Sequence, residues 1–270
     1  MRRVACGPMA LADITGREYG PVPYRLDSEK VADFIDATGD DPALHTDAAP
    51  QGFAGALLFA VAPALLADPD LATHSHGVIH GDQSFRWHRP LEYGTEVAVT
   101  GEVSKLRERG GVAFLGFSLT VGDDAGTVCE GESTFVLSGS ESAASGHAAR
   151  DEPAPDDTAE ASIASATILR SVSRRGLVKY AGASRDYNPL HWDHETAIAA
   201  GLPGVVVHGL LQSAWILQAT GPVQAARFRF RSPLLPGVGV GVIVDRDADR
   251  PQARVTDGLT DYVTATFEPR

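Results

Sequence analysis

Two blocks of this 270-residue chain recur at nearly one spacing, and that internal repeat restricts the fold more than any local propensity does. Phe34 to Asp47 lies against Tyr180 to Asp193 at a shift of 146 residues, matching Asp40 with Asp186, Leu44 with Leu190, His45 with His191 and Asp47 with Asp193. Phe85 to Gly94 lies against Phe228 to Gly237 at a shift of 143 residues. The chain is therefore a duplicated unit. Between the copies, Ser138 to Ala161 is rich in Ser, Ala, Gly, Pro and acid and poor in large apolar side chains, which is the composition of a linker. The expected organisation is a first unit over 1–138, a linker over 139–160 and a second unit over 161–270.

Each copy reads as a short helix, a loop, a long apolar helix and a run of strands. In the second, Ser173 can cap a helix from Arg174 to about Ala183, Asn188-Pro189 marks a turn, and Gly209 to Ala219 is an apolar helix stopped by Gly221-Pro222. Strands are expected near Val223 to Arg231, Val238 to Asp245, Ala253 to Asp257 and Thr260 to Phe267, where β-branched residues alternate between turn residues. The first copy gives a helix over Gly55 to Leu66 and strands near Gly77 to His88, Glu96 to Lys105, Ala113 to Val121 and Thr127 to Leu137. The fold class is α+β, with each half an antiparallel sheet wrapped around a long apolar helix.

Composition removes several function classes. A net charge of -12 speaks against nucleic acid or an anionic membrane surface, since both need a basic face. The longest apolar stretch, Gly52 to Ala67, has 16 residues and contains Pro63, short of the roughly 20 needed to cross a bilayer. Only Cys6 and Cys129 are present, without metal or redox spacing, so a reducing cytoplasm is the simple reading. There is no strained Gly-x-Ser-x-Gly elbow for a serine nucleophile and no Gly-rich phosphate loop after a strand.

The chemistry concentrates between Asp186 and Gly209. Asp186 stands five residues ahead of His191, and His208-Gly209 opens the apolar helix. A carboxylate and an imidazole brought to one water can exchange protons near neutral pH. Gly209, as the first helical residue, offers an unpaired N–H to a developing oxyanion and has no Cβ to keep a ligand away. Water addition to a double bond conjugated with a carbonyl, or its reversal, needs those three groups. The bland alternatives are a cap or turn hydrogen bond for Asp186 and His191, a turn role for Asn188, and backbone orientation for His208. Arg227, Arg229 and Arg231 alternate with Phe228 and Phe230, so three guanidiniums share a strand face as candidates for the phosphates of a nucleotide-bearing ligand, or as an acid-paired surface. His191-Trp192-Asp193-His194 lacks a further His at position 189, which is Pro, and His74, His76 and His80 have no carboxylate or thiolate at close spacing. No metal or other cofactor is expected.

With Ser184-Arg185-Asp186-Tyr187-Asn188-Pro189-Leu190-His191 and His208-Gly209 in place, the second half resembles the MaoC-like, (R)-specific enoyl-CoA hydratases. The first half, with His80-Gly81-Asp82-Gln83 through Arg89-Pro90-Leu91, resembles the degenerate unit of tandem (double) hot-dog 3-hydroxyacyl-thioester dehydratases. The resemblance implies a tandem hot-dog fold and reversible addition of water to trans-2-enoyl thioesters of CoA or an acyl-carrier protein, giving (R)-3-hydroxyacyl thioesters. On it Asp186 and His191 hold and activate water, Gly209 N–H receives the thioester oxygen, and Asn188 and His208 complete the site. Asn188 is answered by Pro42 and His208-Gly209 by Gly55-Ala56 in the first copy, so one active site is expected, with the first half shaping the acyl channel. Arg185 stands where the family often has Gly or a small residue, which is expected to change the pocket's shape. Two rivals are a hot-dog thioesterase, which the helix Gly209 to Ala219 disfavours by carrying no acid, and a non-catalytic acyl-thioester binder or partner subunit. A homodimer is compatible with all three.

Overall fold

A computed structural model of the chain describes residues 13–71, 77–109, 112–138 and 163–270. The expected linker over 139–160, Cys6, His74 and His76 lie outside the described residues. In the first unit β1 (Glu18–Arg25) leads to α1 (Ser28–Thr38), the two-residue β2 (Ala48–Ala49), the apolar α2 (Ala54–Leu66), β3 (Gly77–Trp87), the short β4 (Leu91–Glu92), β5 (Glu96–Arg109), β6 (Val112–Asp123) and β7 (Gly126–Ser138). The second repeats the plan with β8 (Ile168–Arg170), α3 (Arg174–Ser184), α4 (His194–Ala199), α5 (Gly209–Thr220), β9 (Val223–Phe230), β10 (Val240–Asp245), β11 (Gln252–Thr256) and β12 (Asp261–Pro269).

Ten strands form one antiparallel sheet in the order β1-β5-β6-β7-β3-β9-β12-β11-β10-β8. The order reads the same from either edge once each strand is replaced by its copy, so the duplication is visible as an approximate two-fold axis between β3 and β9. That central pair sets Asp82 opposite Arg229 and Ser84 opposite Arg227. The two halves thus share a backbone ladder and one continuous core, from Phe34, Phe53 and Phe117 to Trp215, Phe228 and Val263. Helices α2 and α5 fill the concave side because both are apolar nearly all round, as buried helices are.

The expected helices and the eight long strands are present, with ends shifted by a few residues. Two edge strands, β1 and β8, were not anticipated. Pro21 and Pro23 disguise β1, yet an edge strand tolerates residues that cannot donate to a ladder. Pro63 sits inside α2 without ending it at that point.

Candidate active site

The loop after α3 is built by side chains that satisfy their own backbone. Ser173 caps the start of α3 by accepting from Gly176 N at 3.2 Å. At the end, Ser184 Oγ donates to Tyr180 O at 2.7 Å and accepts from Asp186 N at 3.3 Å. Arg185 makes the turn in left-handed backbone, φ 65°, a conformation that costs a residue with a Cβ about 1–2 kcal/mol. Asp186 Oδ1 accepts from Asn188 N at 3.2 Å, and Asn188 Oδ1 accepts from Leu190 N at 3.2 Å, opening a single 3-10 turn over Pro189–His191. This local chain of bonds aims Asp186 and His191 at one point.

His191 Nδ1 donates to Val206 O at 2.8 Å, and Nε2 faces Asp186 Oδ2 at 3.9 Å. The gap is too long for a direct hydrogen bond and suits a bridging water. Asp186 is buried, and that burial holds its carboxyl above the ordinary carboxylate range against the opposing pull of His191 and the Asn188 amide. The sequence-chosen acid and imidazole therefore do meet.

His208 takes a different place from the one expected of a substrate-binding group. It is 0% exposed, its ring stacks on His191 with centroids 3.7 Å apart, and Nε2 donates to Asp186 O at 3.3 Å. It packs against His191 and holds the Asp186 backbone. Burial and the neighbouring His191 drive its pKa well down, so it stays neutral. Asn188 also has both ends of its amide engaged, because Nδ2 donates to Val78 O at 3.3 Å and so ties the loop after α3 to β3 of the first unit. It supports the loop and also lines the cavity.

Gly209 opens α5 on the cavity wall, with the free N–H of a first helical residue. A Cβ there would come within 2.7 Å of Phe230, so the neighbouring strand requires glycine as much as ligand access does. Around these groups lies a cavity of about 540 Å³. Both units supply its apolar wall, the first through Phe59, Ala62, Leu66 and Val78 and the second through Leu202, Val207, Leu210 and Phe230, and Arg185 and Arg231 also line it. Arg227 and Arg229 do not line it. Both pair with Asp82, at 3.4 and 3.3 Å, because the β3–β9 register sets the acid opposite Arg229 and diagonal to Arg227. Of the two readings of the arginine face, phosphate contacts or acid pairing, Arg227 and Arg229 follow the second, while Arg231 donates to Thr264 Oγ1 at 3.2 Å.

The first copy keeps the dyad without this cavity: Asp40 Oδ2 and His45 Nε2 are 2.9 Å apart, and neither residue lines it. Aligning Pro50 with Pro203 sets Ala62 against Trp215, both at a shift of 153 residues. Trp215 fills the space beside the end of α1, donating to Thr38 O at 3.2 Å. Ala62 lines the cavity.

Asp186, His191 and His208 offer donor atoms within 4.8 Å of one another. The two imidazoles are stacked at 25°, so their in-plane lone pairs run side by side and do not converge on a centre as zinc requires. Asp193, in the metal-like run noted above, caps α4 by accepting from Glu195 N at 3.1 Å and Thr196 Oγ1 at 2.6 Å.

Sequence reasoning did not find the Val206 carbonyl, the buried Tyr180 against His208, or His80 as part of the cavity wall. His80 packs between Phe135 and Phe230, and burial lowers its pKa to about 4. Because His80 and His208 refuse in the folded state a proton that the unfolded chain accepts near pH 6.5, stability is fully present above that pH and falls below it. Denaturant midpoints measured from pH 7.5 to 5 are expected to decline, and His208→Gln is expected to flatten the decline.

Comparison with known proteins agrees with this architecture. Residues 162–266 match the MaoC like domain, and residues 13–130 match the FAS1-like dehydratase domain region. A UPF0336 protein of Streptomyces coelicolor is 32% identical over 126 residues, 42% of this chain and 84% of that protein. The 3-hydroxyacyl-thioester dehydratase X of Mycobacterium tuberculosis is 26% identical over 226 residues, 81% of this chain and 76% of that protein. The crystal structure of HtdX from Mycobacterium tuberculosis superposes with a TM-score of 0.72 at 22% identity, covering 94% of this chain and 100% of that one, a likeness of double hot-dog fold.

Proposed function

Because the chain belongs to the MaoC-like dehydratase family in its tandem hot-dog form, we propose that it interconverts trans-2-enoyl thioesters and (R)-3-hydroxyacyl thioesters, carried on CoA or an acyl-carrier protein. The observation that carries this reading is the 3.9 Å gap between Asp186 Oδ2 and His191 Nε2, at the wall of a cavity that also holds a helix N–H.

In the hydration direction a water sits between the pair. Its oxygen bonds to C3 of the enoyl group as His191 Nε2 takes one of its protons. The C2–C3 π electrons move toward C1 and the thioester oxygen, where Gly209 N–H and the start of α5 meet the charge. Asp186, whose pKa burial raises, serves as the acid that delivers a proton to C2, and the pair is reset by proton transfer from His191 to Asp186. Water and C2 proton arrive on the same face because both donors lie on one side of the cavity.

Arg185 and Arg231, which line the cavity, would meet the phosphates of the carrier. Arg185→Gly is expected to raise stability by about 1 kcal/mol by relieving the left-handed backbone, and to raise KM for a CoA thioester about 5- to 10-fold with kcat nearly unchanged. Melting curves and steady-state kinetics check the two effects separately.

The function is tested by incubating the protein with trans-2-enoyl-CoA of several chain lengths and following loss of the conjugated chromophore, then resolving the product's handedness. No turnover at any length would remove the reading. Release of free thiol would favour a thioesterase, and tight binding without turnover a binding protein.

A further inference from the structure

Helix α5 carries a polar side chain that the reaction above leaves unused. Gln212 is 3% exposed, among neighbours Leu210, Leu211, Ala214, Trp215 and Ile216 that are all 4% exposed or less. It lines the catalytic cavity. Neither end of its amide has a hydrogen-bond partner among the described residues, and Oε1 is sealed inside the protein. Burying an amide without partners costs about 1–3 kcal/mol, so an apolar residue of similar length would make a more stable helix here. The cavity is the direction from which a partner can come.

Gln212 lies three residues after Gly209, which puts both on one helix face. Helical side chains lean toward the N-terminus, so the amide reaches back over the turn that begins at Gly209. With Oε1 sealed, Nε2 is the end presented to the cavity. We propose that Gln212 Nε2 is a second donor to the thioester oxygen, completing with Gly209 N–H a two-donor oxyanion site. This rests on the enoyl-thioester reading. As water adds to C3, the electron pair arriving on the thioester oxygen needs more than one donor, and a neutral amide fixed in a water-poor wall supplies it without reorganisation.

Gln212→Met keeps length and removes the hydrogen bond; Gln212→Ala, which adds no volume, is run beside it. Both are expected to lower kcat about 10²- to 10³-fold with KM within about threefold, and Gln212→Met to melt no lower than the parent. A second readout does not need turnover. In an Asp186→Asn background, the absorption band of a bound conjugated enoyl-CoA should move to longer wavelength as its carbonyl is polarised, and Gln212→Met should lose most of that shift. A kcat within about threefold of the parent together with an undiminished band shift overturns the proposal. Should the parent bind and shift the enoyl band without hydrating it, loss of the shift in Gln212→Met still supports the two-donor site while the hydratase reading falls. Absence of any enoyl-thioester binding overturns both.

Discussion

Asp186→Asn is expected to cost at least about 10³-fold in kcat while making the folded protein more stable. The kinetic loss follows because an amide cannot deliver a proton to C2, and removing a positioned acid or base costs about 10²–10⁴. The gain in stability follows from burial. The carboxyl of Asp186 is raised above its ordinary range, so the folded state binds the proton more tightly than the unfolded chain does. Its contribution to stability is greatest at low pH and is lost as pH rises through the raised pKa. An uncharged isostere has no such loss. The melting temperature of the variant should therefore exceed that of the parent at neutral pH, by about 2–4 °C per kcal/mol relieved, and the difference should shrink as pH is lowered toward 4. A variant that is inactive and less stable at every pH would show that the Asp186 carboxylate holds the loop together, with Asn188 N as the partner that matters.

Gly209→Ala is expected to lose both activity and stability, for one geometric reason. The new methyl would stand 2.7 Å from Cε1 and 2.8 Å from Cδ1 of Phe230, closer than carbon atoms approach. Phe230 is in turn packed on His80, centroid to centroid 5.0 Å, so the ring does not have free space to retreat into. Either the ring or the start of α5 must move. Overpacking of this kind costs about 1–3 kcal/mol. A shift of the helix end also carries the N–H off the thioester oxygen, for which a loss of about 10²–10³ in kcat is expected. The double variant Gly209→Ala/Phe230→Ala separates the two causes. Removing the ring should make the alanine far less costly to stability than it is alone, which a thermodynamic cycle over the four proteins measures. Full activity in the single variant would take Gly209 out of the mechanism.

Much of this protein was legible in the chain because its signals are local. The repeat announced two units, and the apolar runs at Ala54–Leu66 and Gly209–Thr220 announced the helices that the sheet encloses. Asp186 and His191 are five residues apart in a turn whose hydrogen bonds are made by Ser184, Asp186 and Asn188 themselves, so their meeting needs little beyond that loop. β1 was hidden by its prolines, since propensity does not tell an edge from an interior position. The three arginines were read as one face because alternation along a strand is visible, whereas the acid that claims two of them, Asp82, lies on a strand 145 residues away in sequence.

His208 shows the same boundary. Its position before Gly209 marked it as part of the site, but only packing could turn it away from the cavity and lay it under His191. The sequence by itself determined the duplicated α+β plan, the acid and imidazole on one turn, and the glycine at a helix start, because each is set by neighbours within a few residues. The tertiary structure alone decided that Asp82 occupies Arg227 and Arg229, and that Gln212 is left facing the cavity without a partner. Those outcomes depend on which surfaces the β3–β9 pairing brings together, and contacts across a fold are written in no single stretch of chain.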